Sequence, residues 1–199
     1  MNSMVPTDIF FKDVEKVLDT FADDNRTLAR TMIETLDRTA QELPRVAEQC
    51  HTYQAKLYLK LKDFEAALVA IAQALEYAPN NPNLITLRGD IHRKAQDYQQ
   101  ALQDYSFAVE LHPEAVTARL HRAEIRQTLG EPQTALDDIN DALRLEPRDL
   151  RLLYRRGLIF VDLRRLGDAL QDFRTVARLT PNPDLKRKAE ERLRELGEQ

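Results

Sequence analysis

Four prolines at one constant interval constrain this chain more than any other feature. Pro79, Pro113, Pro147 and Pro181 each lie 34 residues after the one before. A fixed period of this length indicates that one structural unit is repeated along the chain. The same register aligns small and large residues in columns, among them Ala67/Ala101/Ala135/Ala169, Leu68/Leu102/Leu136/Leu170 and Ala55/Gly89/Ala123/Gly157. We therefore divide residues 48–183 into four repeats, 48–81, 82–115, 116–149 and 150–183.

Each repeat carries helical spacing twice. In the second repeat, Ile85, Gly89 and His92 follow the i, i+4, i+7 pattern of one helix face, and Ala101 and Ala108 belong to a second such face. A short polar stretch separates the two halves, and the proline near the end of each repeat stops the second helix. Each repeat is thus predicted to be a helical hairpin.

Small residues are predicted to lie where the two helices of a hairpin cross. Gly89 would face Ala101, and Ala123 would face Ala135, so that the helix axes approach to roughly 8–10 Å. A single hairpin leaves part of its apolar face uncovered, so consecutive hairpins must stack on one another.

This pattern resembles the tetratricopeptide repeat (TPR), a 34-residue helical hairpin with large, Leu, Gly, Tyr, Ala, aromatic, Ala and Pro positions. The resemblance covers residues 48–183. It implies an all-α fold, a right-handed α-solenoid of TPR hairpins, and function through protein binding. The usual Trp and Tyr positions differ here, since the third repeat carries Arg119 and Arg126 in their place.

The two ends are also predicted to be helical. Residues 1–47 would contain a hairpin that caps the first repeat, and residues 184–199 a single capping helix with a narrow apolar stripe. Ile9, Phe10 and Phe11 put large apolar groups on more than one side of a short helix. With Phe10 facing its hairpin partner, Ile9 or Phe11 would remain for a second chain, so we predict a possible homodimer through residues 8–43.

Composition argues against several classes of function. The 29 basic and 33 acidic residues leave a net charge of −4, which does not favour nucleic acid as a partner. No long apolar run and no signal-peptide pattern is present, so we expect no membrane partner and a cytoplasmic location.

The single cysteine, Cys50, cannot pair within the chain. No two of the four histidines lie at i, i+3 or i, i+4 spacing, and no nucleophile, base or phosphate loop is recognisable. We predict no enzyme activity, no catalytic residues, no cofactor and no metal.

Two charged columns predict a structural ion pair. Arginine recurs at Arg88, Arg122 and Arg156 wherever aspartate recurs at Asp104, Asp138 and Asp172, and the first repeat has Gln54 and Ala70 instead. Such joint presence and joint absence favours a pair between the two helices of one repeat over a ligand-binding stripe.

The TPR resemblance implies a ligand on the concave face, which is formed mainly by the first helix of each repeat. The candidate peptide-binding residues on that face run from basic through acidic to apolar. They are Lys56, Lys60, Asn83, Thr86, Asp90, Arg93, Lys94, Leu120, Glu124, Arg151, Tyr154 and Leu158. The apolar end would be covered either by the C-terminal helix or by a bound peptide or partner helix. The Lys/Asn positions that grip a terminal carboxylate in chaperone-binding TPR domains are not met, so we do not expect a chaperone-tail clamp.

The function predicted from these features is an adaptor or scaffold that holds a peptide or helix of another protein. Two alternatives stay open. A secretion-type chaperone is compatible with the small size, the acidic balance and the N-terminal helices, and a regulatory partner of an enzyme is compatible with a repeat array.

Overall fold

The computed structural model describes residues 7–22 and 25–197. Within these ranges the chain forms α-helices and short 3-10 segments and no strand, which confirms the all-α prediction. The chain divides into two compact units, Met1–Asp97 and Tyr98–Gln199.

The described residues of unit 1 form five α-helices. They are α1 (Thr7–Asp19), α2 (Arg26–Glu42), α3 (Ala47–Leu61), α4 (Phe64–Tyr77) and α5 (Pro82–Lys94), with a 3-10 turn at Pro44–Val46. α3 packs against both α2 and α4, and α5 packs against α4.

In unit 2, residues 98–197 form six α-helices, each packed against the next along the chain. They are α6 (Tyr98–Leu111), α7 (Val116–Thr128), α8 (Pro132–Leu145), α9 (Leu150–Asp162), α10 (Leu166–Leu179) and α11 (Pro183–Glu195).

The turns inside the repeats share one backbone feature. Lys62, Gln96, Gly130 and Arg164 all have positive φ, and they too are spaced by the repeat period. Glycine adopts this left-handed conformation without steric cost, whereas other residues need the surrounding structure to hold them there. Because Lys62 and Arg164 are not glycine, the packing of α3 against α4 and of α9 against α10 holds these two turns.

The core of unit 1 joins α1 to α2 and α3. Phe11, 5% exposed, lies in this core with its ring centroid 5.3 Å from that of Tyr53. The expectation that Phe11 remains free for a second chain is therefore wrong, because α3 already covers it. The side chain of Ile9 lies outside the described residues, and homodimer formation through residues 8–43 stays a prediction.

The core of unit 2 contains the small residues at the helix crossings. Ala123, Ala135 and Gly157 are buried, and an added Cβ at Gly157 would lie 2.6 Å from the Phe173 ring. This approach shows why the position demands a small residue.

Two of the predicted Arg–Asp pairs are confirmed in unit 2. Arg122 donates to both carboxylate oxygens of Asp138, at 2.6 and 3.0 Å, and Arg156 donates to both oxygens of Asp172 at 2.8 Å. Arg126 adds a third hydrogen bond to Asp138 at 2.7 Å. The carboxylates are almost fully buried, so the pairs lock the register of the two helices.

Candidate functional site

Cys50 and His51 occupy structural positions in α3. The Cys50 side chain is fully buried, and burial raises the pKa of its thiol to about 11. His51 stacks on Tyr77 and shares a 2.8 Å hydrogen bond with Gln54. No group of three or more metal-ligating side chains occurs among the described residues. These two residues therefore serve packing.

Two of the candidate binding residues line a cavity in unit 1. The cavity lies between α1 and α3, has a volume of about 390 Å³, and contains both Lys56 and Lys60. The apolar part of its wall comes from Leu18, Leu59 and the Tyr53 ring, and its lining is completed by Glu15 and Asp19 of α1. The sequence-based description of this end as basic is thus incomplete, because two carboxylates lie beside the two lysines.

Tyr53 organises the charged groups of this cavity. Its hydroxyl donates a hydrogen bond of 2.5 Å to Glu15, and the Lys56 ammonium lies 5.2 Å from its ring centroid, within cation–π range. Burial, followed by the hydrogen bond to Glu15, raises the pKa of Tyr53 to about 12. The phenol therefore stays protonated at neutral pH and holds the Glu15 carboxylate in place.

The remaining candidates of unit 1 lie on α5. Asp90 and Arg93 form an ion pair with an N–O distance of 3.2 Å. The Thr86 hydroxyl donates to the Pro82 carbonyl oxygen at 2.7 Å, while Asn83 and Lys94 are exposed. Arg93 therefore already has a carboxylate partner within its own helix, and Lys94 is the more accessible cation.

In unit 2, Leu120, Tyr154 and Leu158 are half-buried around one apolar cluster. The Tyr154 and Phe173 rings lie 5.6 Å apart. Glu124 forms an ion pair with Arg155, which joins α7 to α9 beside these apolar groups. All five candidate residues of unit 2 lie on the two neighbouring first helices α7 and α9, and four of them lie at or beside this apolar cluster.

The C-terminal helix covers part of this apolar surface. Leu193 of α11 and Leu196, which follows the helix, pack against the same cluster, and the interaction of Arg192 with Tyr154 raises the pKa of the arginine. The sequence left two occupants open for the apolar end, the C-terminal helix and a bound peptide or partner helix. The C-terminal helix α11 lies at Tyr154, whereas Leu120 and Leu158 remain partly exposed.

Arg151 lies at a different place. It is bound to Asp149 at 2.6 Å and lines a cavity of about 700 Å³ formed by the turns before α9 and α11. Burial opposes ionisation of Asp149, but hydrogen bonds from Arg151 hold the pKa of Asp149 below its usual value. Arg151 therefore belongs to a helix start.

Sequence reasoning missed Glu15, Asp19 and Arg192. Glu15 and Asp19 stand four residues apart in α1, so they share one face of that helix. This spacing can be read from the sequence, but only the docking of α1 on α3 shows that the face lies beside Lys56 and Lys60. Arg192 sits among many charged residues of α11 and carries no distinguishing signal.

Comparison with known proteins identifies the fold. Models of the tetratricopeptide repeat match residues 54–81, 86–138 and 126–182, more than half of the chain. No curated protein matches in a sequence comparison. Among the described residues, no helix is both long and apolar enough to cross a membrane.

Three solved structures illustrate the similarity. MamA aligns with a TM-score of 0.66 at 14% identity, over 87% of this chain and 96% of that chain. YrrB, described as a TPR protein with an unusual peptide-binding site, aligns with a TM-score of 0.63 at 20% identity, over 92% of this chain and 97% of its own.

The third is the first TPR domain of Spaghetti (RPAP3) bound to the HSP90 peptide SRMEEVD. It aligns with a TM-score of 0.54 at 24% identity, over 58% of this chain and 89% of that chain. At these identities the likeness is one of fold. Together with the repeat-model matches, it shows that the chain belongs to the tetratricopeptide repeat family.

Proposed function

We propose that this protein is a non-enzymatic adaptor that binds a peptide or helix of another protein on its first-helix surface. By this name we mean the faces formed by α1, α3 and α5 in unit 1 and, separately, by α7 and α9 in unit 2. The observation that carries the proposal is the 390 Å³ cavity between α1 and α3, because it combines apolar walls with four charged groups. Such a mixture of a mostly apolar hollow and a few polar groups is typical of ligand sites.

The lining of the cavity indicates the chemistry of its ligand. Leu18, Leu59 and the Tyr53 ring would bury an apolar side chain, and Lys56 and Lys60 would pair with carboxylates on either side of it. Glu15 is held by Tyr53, so the lysines are the charged groups that a ligand would engage first. We therefore propose a peptide with an apolar residue flanked by acidic residues.

Unit 2 offers a second contact surface of different character. Leu120 and Leu158 are partly exposed beside the Glu124–Arg155 ion pair, in which the two charges cancel. An apolar helix face is the ligand that suits such a surface. The part of the surface at Tyr154 is already occupied by Arg192.

The related domain bound to the HSP90 peptide takes an acidic peptide ending in EEVD. Our chain lacks the Lys/Asn arrangement of a terminal-carboxylate clamp, since α3 carries Thr52 and Lys56 at the matching places. We therefore propose recognition of an internal acidic-apolar segment, in which the lysines contact side-chain carboxylates.

The test is selection of peptides from a random display library against the full chain, followed by affinity measurement by fluorescence anisotropy. The Lys56→Glu/Lys60→Glu variant should weaken binding of acidic-apolar peptides by about tenfold or more, with a salt dependence that the variant loses. Arg178→Glu/Lys188→Glu, which changes exposed residues of α10 and α11 by the same total charge, is the matched control. Equal binding by both variants would refute the first-helix cavity as the ligand site.

A further inference from the structure

A second cavity of unit 1 lies where other repeats place an arginine. In unit 2, Arg122 and Arg156 each reach from a first helix to a buried aspartate of the next helix. Arg122 also donates to Ser106 of α6 at 3.1 Å, so its guanidinium lies between two second helices, α6 and α8. The arginine thus fills the space between neighbouring second helices.

The first repeat leaves this space open. Gln54 and Ala70 occupy the arginine and aspartate positions, and the Gln54 amide is engaged with His51 and with the Ile33 carbonyl oxygen, the latter at 3.2 Å. A cavity of about 420 Å³ remains between α2, α3 and α4. Its lining consists of Ile33, Glu34, Asp37, Gln54, Tyr58, Ala66, Val69, Ala70 and Gln73.

The walls of this cavity combine an apolar floor with a negative rim. Val69 is 62% exposed although it is apolar, and Ala70 beside it is buried. Glu34 and Asp37 of α2 are exposed at the rim. Asp37 accepts a hydrogen bond of 2.9 Å from Gln41, and within the described part of the chain neither carboxylate forms an ion pair. Burial, and after it the charges of Asp63 and Asp37, raises the pKa of Tyr58, which also lines the cavity.

We propose that this cavity receives an arginine side chain of a partner protein. The aliphatic stem would lie against Val69 and Ala70, and the guanidinium would pair with Glu34 and Asp37. Arginine suits the site better than lysine because its planar group donates to two carboxylates at once. The proposal goes beyond the proposed function, since the cavity is formed by α2, α3 and α4 and shares no lining residue with the cavity between α1 and α3.

The experiment uses the full chain with labelled methyl groups and the peptide acetyl-Ala-Arg-Ala-amide as the probe. We expect saturable NMR shifts of the Ala66, Val69 and Ala70 methyls during the titration. The same peptide with citrulline, which has the shape of arginine without its charge, should bind about tenfold more weakly. Absence of saturable shifts, or equal binding of the citrulline peptide, would overturn the proposal.

A pair of variants assigns the effect to the rim. Glu34→Gln/Asp37→Asn keeps the shape of two exposed side chains and should lower affinity for the arginine peptide by about tenfold. Glu42→Gln/Glu76→Gln removes the same charge from exposed positions outside the cavity lining and should bind normally. Undiminished binding by the rim variant refutes the site. Lys56→Glu/Lys60→Glu should leave this titration unchanged, so failure here is distinguishable from failure of the adaptor proposal.

Discussion

The first repeat of unit 1 and the repeats of unit 2 solve the same packing problem in different ways. Arg122 and Arg156 each lock two helices through a buried aspartate. In the first repeat the same two places hold Gln54 and Ala70, and α3 is tied to α2 by a hydrogen bond from Gln54 to the Ile33 carbonyl oxygen. The difference teaches that the ion pair is one way to hold register, and that its absence leaves an open cavity.

The largest effect should come from breaking the pair in unit 2. Asp138 is 4% exposed and accepts hydrogen bonds from both Arg122 and Arg126. Asp138→Ala leaves two partly buried guanidinium groups without a carboxylate, so we expect the free energy of unfolding to fall by about 3 kcal/mol in urea denaturation, the low end for breaking a buried pair. Asp141→Ala, in the exposed pair with Arg144, should cost about 0–1 kcal/mol. Equal losses would mean that burial does not distinguish the pairs.

The next effect should be a pH dependence of stability that arises in unit 1. The thiol of Cys50 in unit 1 has its pKa raised by burial from 9.0 to about 11. Between these values the unfolded chain loses the proton and the folded chain keeps it. The contribution of this thiol to stability should be constant below pH 9 and fall by about 2–3 kcal/mol between pH 9 and pH 11.

Urea denaturation at pH 8 to 11 measures this fall. Cys50→Ala should remove it between pH 9 and 10, whereas a later fall above pH 10 should persist because the pKa of Tyr53 is also raised, to about 12. Parallel curves for the variant and the natural chain from pH 9 would contradict the assignment to Cys50.

A smaller effect tests the close helix approach in unit 2. A methyl group at Gly157 would meet the fully buried Phe173 ring, so we expect Gly157→Ala to destabilise by about 1–3 kcal/mol although alanine favours helix. Gly167→Ala meets nothing within 4 Å and should be neutral or stabilising by up to about 1 kcal/mol. Thermal unfolding of both variants measures the difference, and a stabilised Gly157→Ala would show that Phe173 yields easily.

The smallest net effect should come from giving the first repeat the ion pair of the others. Ala70→Asp alone buries an unpaired carboxylate and should destabilise by about 1–3 kcal/mol. Adding Gln54→Arg should restore stability to within about 1 kcal/mol of the natural chain, because a buried pair roughly balances its desolvation. A double-mutant cycle in urea measures the coupling. No recovery in the double variant would mean that the first repeat cannot hold the pair geometry.

The sequence by itself determined the features that depend on local periodicity. The 34-residue interval predicted the helical hairpins, and the joint recurrence of Arg122 with Asp138 and of Arg156 with Asp172 predicted their pairing. The small-residue column predicted the close approach at Gly157. These inferences succeed because the two helices of a hairpin are close in sequence and the hairpin is repeated. The same contact therefore recurs at equivalent positions several times in a single chain.

Only the tertiary structure decided the features that join helices of unlike sequence. The left-handed turns at Lys62 and Arg164 form without glycine, because paired helices rather than intrinsic preference hold them. The docking of α1 on α3 buried Phe11 and placed Glu15 beside Lys56. No repeat provides a second copy of that contact. Its partners are set by side-chain packing between segments far apart in the chain, and periodicity does not encode such packing.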